Sequence, residues 1–181
     1  MKSVLISIQP KWCELIASGQ KTVEVRKTKP KLETPFKCYI YCTKDNTFAE
    51  KTLRGFSDDG KAIYYKANKG KVIGEFVCDK MLVSFLNNND GWFVEKGCLT
   101  PKEIDEYQGD KAILYGWYIS DLKIYDNPKK LSEIAKPDKC PYNSPIGCTY
   151  GGHCYRAGQA KRCGDYVERP PKSWCYVEEV E

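Results

Sequence analysis

The chain has 181 residues, 41% of them hydrophobic and 13% aromatic, enough apolar material for one domain that buries roughly 70% of its unfolded surface. With 29% charged residues the composition is globular and excludes a disordered chain, and no apolar run approaches the length of a membrane-spanning helix. A net charge of +5 permits a nucleic-acid partner without requiring one, and no membrane partner is expected.

The apolar run between Met1 and Pro10 is too short for a secretion signal and Glu14 follows soon after, so the expected compartment is the cytoplasm. In a reducing compartment the ten cysteines read as core residues or metal ligands, not as a disulfide framework. Val4–Ile8 is expected to be a short strand ended by Pro10, which then takes the first turn of a helix over Lys11–Ser18. Trp12, Leu15 and Ile16 fall at helical spacing there and are expected to face the core. Gly19 suits the left-handed conformation that ends a helix, and delivers Lys21 at the start of a strand over Lys21–Lys27. On that strand Thr22, Glu24 and Arg26 share one face while Val23 and Val25 share the other. Opposite charges thus lie side by side on an apolar-backed strand, a pattern as compatible with a solvent-facing edge strand as with a site.

Lys29–Pro35 reads as a loop and Phe36–Thr43 as a strand, with Cys38, Ile40 and Cys42 on one face and Tyr39 and Tyr41 on the other. Four strand residues separate Cys38 and Cys42 by roughly 13 Å, too far for one metal ion, so both are expected to be core thiols. The polar stretch Lys44–Gly70, with a minor strand at Ala62–Tyr65, reads as an inserted hairpin. Lys71–Cys78 is the clearest later strand. Alternation puts Val72, Gly74, Phe76 and Cys78 on one face and Ile73, Glu75 and Val77 on the other, leaving Glu75 at a pocket wall or on a lightly covered surface.

Met81–Asn89 ends in an Asn-rich turn, and Thr100-Pro101-Lys102-Glu103 has the form of a capping box whose helix stops at Gly109. Ala112–Tyr125 supplies strand material, Pro128–Glu133 a helical turn, and Ser173–Val177 a closing strand entered from Pro170-Pro171. Many short strands and few short helices predict an α+β fold built on a small mixed barrel, not a parallel α/β sheet.

Between Lys136 and Arg169 the composition changes: Cys140, Cys148, Cys154 and Cys163 lie in a turn-rich piece with almost no aliphatic side chains. A tetrahedral zinc ion would fold such a piece, so residues 137–168 are expected to form a zinc module inserted before the last strand of a domain made from 1–136 and 169–181. His153 and Cys175 are substitute ligands, and a loop of reduced cysteines is the competing reading. Two basic groups, Arg26, Lys27, Lys29 and Lys31, then Arg156, Lys161, Arg162, Arg169 and Lys172, would follow a phosphate backbone if the fold joined them.

The helix leading into Gly19-x-Lys21-x-x-Glu24-x-Arg26, the Gly74-Glu75-Phe76 strand and the closing Arg169-Pro170-Pro171-Lys172-Ser173-Trp174-Cys175-Tyr176-Val177 resemble the ASCH domain, a branch of the PUA-like superfamily, in its phage and bacterial form. The resemblance runs from Met1 to about Lys136 and resumes at Arg169. It implies a PUA-like β-barrel with short flanking helices, a cleft beside the signature strand, and a role in RNA binding, processing or regulation. Some members are ribonucleases, and a related group removes acyl groups from N4-acylated cytidines with a lysine, a threonine three residues on, and a distant glutamate. Lys21 matches that lysine, Glu24 stands where the threonine would be, and Glu75 is the candidate glutamate by its place on a strand.

As an RNA- or nucleotide-binding cleft, Glu24 would accept from an exocyclic amine, Lys21, Arg26 and Lys27 would meet phosphate, Trp12 or Trp174 would stack on the base, and Ser173 would flank them. As a hydrolase, Glu24 would be the acid–base group, Lys21 would neutralise charge on an oxygen, and Glu75 would complete the set. A third reading makes Lys21, Glu24 and Arg26 an ion network that fixes the strand.

Overall fold

The computed structural model describes residues 2–44, 52–56, 62–66, 69–85, 91–136 and 166–180. The uninterrupted Val4-Leu5-Ile6 run makes β1 (Lys2–Ile8) a strand buried on both faces. It lies between β3 (Phe36–Cys42), which pairs with it in parallel, and the closing β10 (Trp174–Glu178), which pairs antiparallel. A parallel neighbour requires a crossover, and the intervening α1 (Pro10–Ala17) and β2 (Val23–Arg26) supply it. Antiparallel β6 (Lys71–Cys78) and β9 (Ser120–Lys129) complete a sheet of order β10-β1-β3-β6-β9.

A second sheet, of order β2-β8-β7, combines β2 with β8 (Ile113–Tyr118) and β7 (Met81–Phe85), and β4 (Thr52–Phe56) pairs with β5 (Ala62–Lys66) as the expected hairpin. The fold is thus α+β, but the expected barrel is not closed: β2 pairs with β8 and not with β1 or β3, so the sheets form two separate ladders. The chain passes directly from one to the other at Asp79-Lys80, between β6 and β7, and back at Ile119, between β8 and β9.

Three apolar clusters hold these layers. On one face of the larger sheet, Val4, Ile6, Cys38, Ile40 and Phe76 pack against Cys13 and Ile16 of α1 and against Trp117 of β8. On the other, Leu5, Tyr39, Tyr41 and Val72 meet Ile134, Val167 and Val177. Val25, Phe93 and Leu114 join the smaller sheet to α2 (Gly91–Glu95), a helix the pattern did not predict. Cys38 and Cys42 are buried free thiols, as expected, and burial raises the Cys38 pKa well above its ordinary value. The inward face of α1 is Cys13, Ile16 and Ala17, and Trp12 is only half-buried.

β6 departs from simple alternation. Ile40 pairs with Gly74 but Tyr41 pairs with Val72, so Ile73 is an extra residue in the ladder. The bulge turns Val72 toward Tyr39 and Tyr41 and Ile73 toward Cys38 and Phe76, the reverse of the predicted faces. Pro128 also continues β9, and only Leu131–Glu133 forms a 3-10 turn. Beyond it Ala135 forms an antiparallel bridge with Tyr166, which brings the two described segments on either side of residues 137–165 together. No helix among the described residues is long and apolar enough to cross a membrane.

α3 (Pro101–Gln108) begins with the predicted capping box: Thr100 Oγ1 accepts from the Glu103 N–H, and the Glu103 carboxylate accepts from the Thr100 N–H. That N–H bond, followed by the Lys11 ammonium at 2.9 Å, holds the Glu103 carboxyl down to about 2. Because the folded value is depressed, the contribution is present above the ordinary 4.5 and is lost as pH falls toward about 2. Glu103→Gln should therefore lower Tm near neutral pH, with the gap to wild type closing as acid is added; a gap that persists in acid would contradict this account.

Gly74 lies where β9 crosses closely. A Cβ there would stand 2.5 Å from the Lys123 carbonyl oxygen, which is backbone and cannot swing aside. Gly74→Ala should destabilise the fold by about 1–3 kcal/mol in urea unfolding.

Candidate ligand cleft beside the signature strand

Gly19, with φ of +74°, ends α1; its N–H bonds the Ile16 carbonyl, and the Lys21 N–H turns back to the Leu15 carbonyl, both at 2.9 Å. The turn sends the Lys21 side chain inward, where it is 3% exposed and donates to the Gly97 carbonyl at 2.7 Å. Two residues into β2, Glu24 is 5% exposed. Its Oε1 lies 2.7 Å from Arg26 Nη2, and its Oε2 lies 3.4 Å from Lys21 Nζ.

Oε2 has no hydrogen bond despite that ion pair, and neither has the buried Arg26 Nε. The Lys21 contact is Coulombic, since the ammonium proton at hydrogen-bond distance goes to Gly97. Arg26 also donates from Nη2 to the Ser7 carbonyl at 2.7 Å and reaches the Ser173 hydroxyl from Nη1 at 3.5 Å. All four residues of β2 are buried, which excludes the solvent-facing edge strand.

These groups form the floor of a cleft of 710 Å³. Trp12 of α1, Tyr41 of β3 and Tyr107 of α3 are its aromatic lining, and Ser7, Ile8 and Pro170–Ser173 complete it. Among the described residues Lys21, Arg26, Lys44 and Lys172 line it as cations against the single carboxylate of Glu24, so the site is electropositive. Lys44 and Lys172 are exposed and form the rim. The Lys21 ammonium stands 5.1 Å from the centre of the Trp12 ring. Burial raises the Tyr107 hydroxyl above its ordinary range, so it stays neutral and able to donate or accept at pH 7.

Of the residues singled out by sequence, Trp12, Lys21, Glu24, Arg26 and Ser173 meet in this cleft. Glu75 does not. It sits across from Tyr39 on the larger sheet, accepts a hydrogen bond from the Tyr125 hydroxyl, and lies 3.8 Å from Lys37. Trp174 does not line the cleft either; it packs against Trp117 and Tyr176 and donates from Nε1 to Thr28 Oγ1 at 2.9 Å. Lys27 does not line the cleft; its ammonium lies 5.0 Å from the ring of Tyr107, which does.

Cys140, Cys148, Cys154 and Cys163, His153, and with them the expected zinc site, lie outside the described residues. Among the described residues no three ligand-type side chains gather, and Cys175 packs beside Leu5 and Tyr39. Sequence reasoning missed Tyr107, Lys44 and the Gly97 carbonyl. Only the helix that carries Tyr107 had a local signal, its capping box.

The profile of the ASCH domain matches residues 6–138 of the chain. The fold agrees: the crystal structure of ASCH from Zymomonas mobilis superposes with a TM-score of 0.59, at 15% identity over 98% of this chain and 88% of that one. A serine-to-alanine variant of the Zymomonas mobilis protein gives 0.57 at 15% identity over 98% and 89%, and a tyrosine-to-phenylalanine variant 0.51 at 19% over 72% and 77%. No curated protein sequence matches the chain. The chain belongs to the ASCH domain family, whose PUA-like fold is associated with RNA binding.

The ion cluster also bears on stability. Lys21→Met leaves the Gly97 carbonyl without its donor and Glu24 with one cation, and should cost about 3 kcal/mol, the lower end for a broken buried pair, because Arg26 remains. Urea unfolding measures it; a loss below about 1 kcal/mol would show that the ammonium is no structural partner.

Proposed function

We propose that the cleft binds single-stranded RNA by receiving one of its nucleotides. The observation that carries this reading is Glu24, a buried carboxylate that lines an electropositive, aromatic-walled cleft and has one oxygen, Oε2, without a hydrogen bond. A buried acceptor left without a donor costs about 1–3 kcal/mol, and a turn of the carboxylate that presents Oε2 to the cleft would let the exocyclic amine of a base supply that donor. The half-buried Trp12 offers a stacking face whose cost in side-chain freedom is small.

Phosphate falls to the rim. Arg26 Nη2 is already engaged by Glu24 and Ser7, so Arg26 holds the carboxylate in position while the exposed Lys44 and Lys172 meet the backbone. The family's association with RNA supports the same ligand class.

The burial of Glu24 beside Lys21 also favours a second reading, a hydrolase acting on the bound nucleotide. In it Glu24 exchanges the proton and Lys21 stabilises negative charge developing on the attacked oxygen.

Titration of a labelled single-stranded RNA over a range of salt tests the binding reading. Lys44→Ala and Lys172→Ala should each weaken affinity and lower the slope of log K against log salt by about 1, whereas the exposed Lys102, on the outer side of α3, should be neutral. Absence of RNA affinity at low salt would overturn the reading. In the same preparations, product analysis with RNA and with N4-acylcytidine decides between binder and hydrolase: Glu24→Gln should retain affinity and lose turnover if Glu24 is catalytic. Wild type that binds RNA and converts neither substrate is a binding module.

A further inference from the structure

We propose that the RNA path leaves the cleft past Tyr107 and runs over the outer end of the β2-β8-β7 sheet, where Tyr115 and Phe85 form a second base-stacking surface served by Lys27 and Lys29. This rests on the RNA-binding reading of the cleft and adds to it the course of the neighbouring nucleotides.

Strand register places the surface. Glu24, Trp117 and Met81 are directly opposite one another across the three strands; Arg26, Tyr115 and Val83 form the next row on the same face, and Ile113 and Phe85 the row after that. Rows two residues apart lie about 7 Å from one another, a step suited to successive unstacked bases. Burial falls along this face. Trp117 is fully buried, Val83 is 45% exposed and Phe85 is 60% exposed. One sheet face therefore starts as the cleft floor and ends as an open apolar and aromatic surface.

Cations accompany it. The Lys27 ammonium lies 5.0 Å from the ring of Tyr107, which is both a cleft wall and 37% exposed, and the Lys29 ammonium lies 5.8 Å from the ring of Tyr115. Tyr115 packs against the main core cluster, so its ring is already held. Aromatic faces on a rigid sheet with flanking lysines are what single-stranded nucleic acid requires: stacking that tolerates any base, and charge that follows the backbone. An apolar partner protein would be served by Val83 and Phe85 but gains nothing from ammonium groups over the adjoining rings.

The test compares a dinucleotide with a single-stranded RNA of about eight nucleotides, a length within the usual site size of such surfaces. Phe85→Ser should weaken the longer RNA about tenfold and leave the dinucleotide within about twofold, while Phe85→Trp restores the longer one. Lys29→Ala should lower the salt slope for the longer RNA by about 1 and leave the dinucleotide slope unchanged. Unchanged affinity of both variants for the longer RNA, with Lys172→Ala still weakening both ligands, overturns this path and leaves the cleft reading standing. Equal losses on both ligands overturn it too, since the defect then lies in the fold or the cleft. Absence of any RNA binding overturns both readings. A sedimentation shift in Phe85→Ser without a change in RNA affinity assigns the surface to contact between copies of the chain and overturns the path.

Discussion

Most of the site depends on one carboxylate held between two cations. Glu24 is buried against Arg26 at 2.7 Å and Lys21 at 3.4 Å, and each cation is tied in turn to a different part of the chain. Arg26 reaches the Ser7 carbonyl at the end of β1 and the Ser173 hydroxyl before β10, and Lys21 reaches the Gly97 carbonyl after α2. Side chains thus join segments that no ladder joins. Where a closed barrel would carry backbone hydrogen bonds between the two sheets, this fold has an ion cluster and an opening.

Such a cluster is an expensive way to hold a strand. Removing three charged groups from water costs several kcal/mol each, and well-packed apolar side chains often serve equally well or better. An arrangement that only fixed β2 would also be expected to satisfy its own polar atoms, because a half-satisfied buried network is less stable than an apolar one. Here Glu24 Oε2 and Arg26 Nε have no hydrogen bond, and the cluster lies under 710 Å³ of space and not under packed side chains. The comparison favours a site over a fastening.

What was legible in the sequence was local. Gly19 before Lys21, the alternation of Glu24 and Arg26 against Val23 and Val25, and the Thr100–Glu103 box depend on neighbours within a few residues, and each is realised. Cys38 and Cys42 were readable as core thiols because strand rise alone separates them. Pairing partners were not legible. The Ile73 bulge exists only relative to Tyr41 and Ile40 on β3, and it reassigns the faces of residues whose own alternation looks regular. Glu75 shows the consequence: a carboxylate on a readable strand is carried to Lys37 and Tyr125, on a face the strand alone does not name. The Gly97 carbonyl, 76 positions from Lys21, offers no side chain to read at all.

The phase of β2 decides whether there is a site, and a few backbone bonds near its start set it. A shift of one residue would exchange Glu24 and Arg26 with Val23 and Val25, placing charge against Phe93 and Leu114 and valine in the cleft. The left-handed Gly19 prevents this from one side by returning the Lys21 N–H to Leu15. From the other side, the Lys96 carbonyl accepts from both Thr22 and Val23, while the Ile119 N–H bonds the Thr22 carbonyl at the point where β8 gives way to β9. The strand is therefore gripped at its first residues by α1, by the end of α2 and by the corner between the two sheets. Its charged face is fixed before its ladder to β8 begins, so the cleft is held by backbone geometry and does not rely on the ion cluster alone.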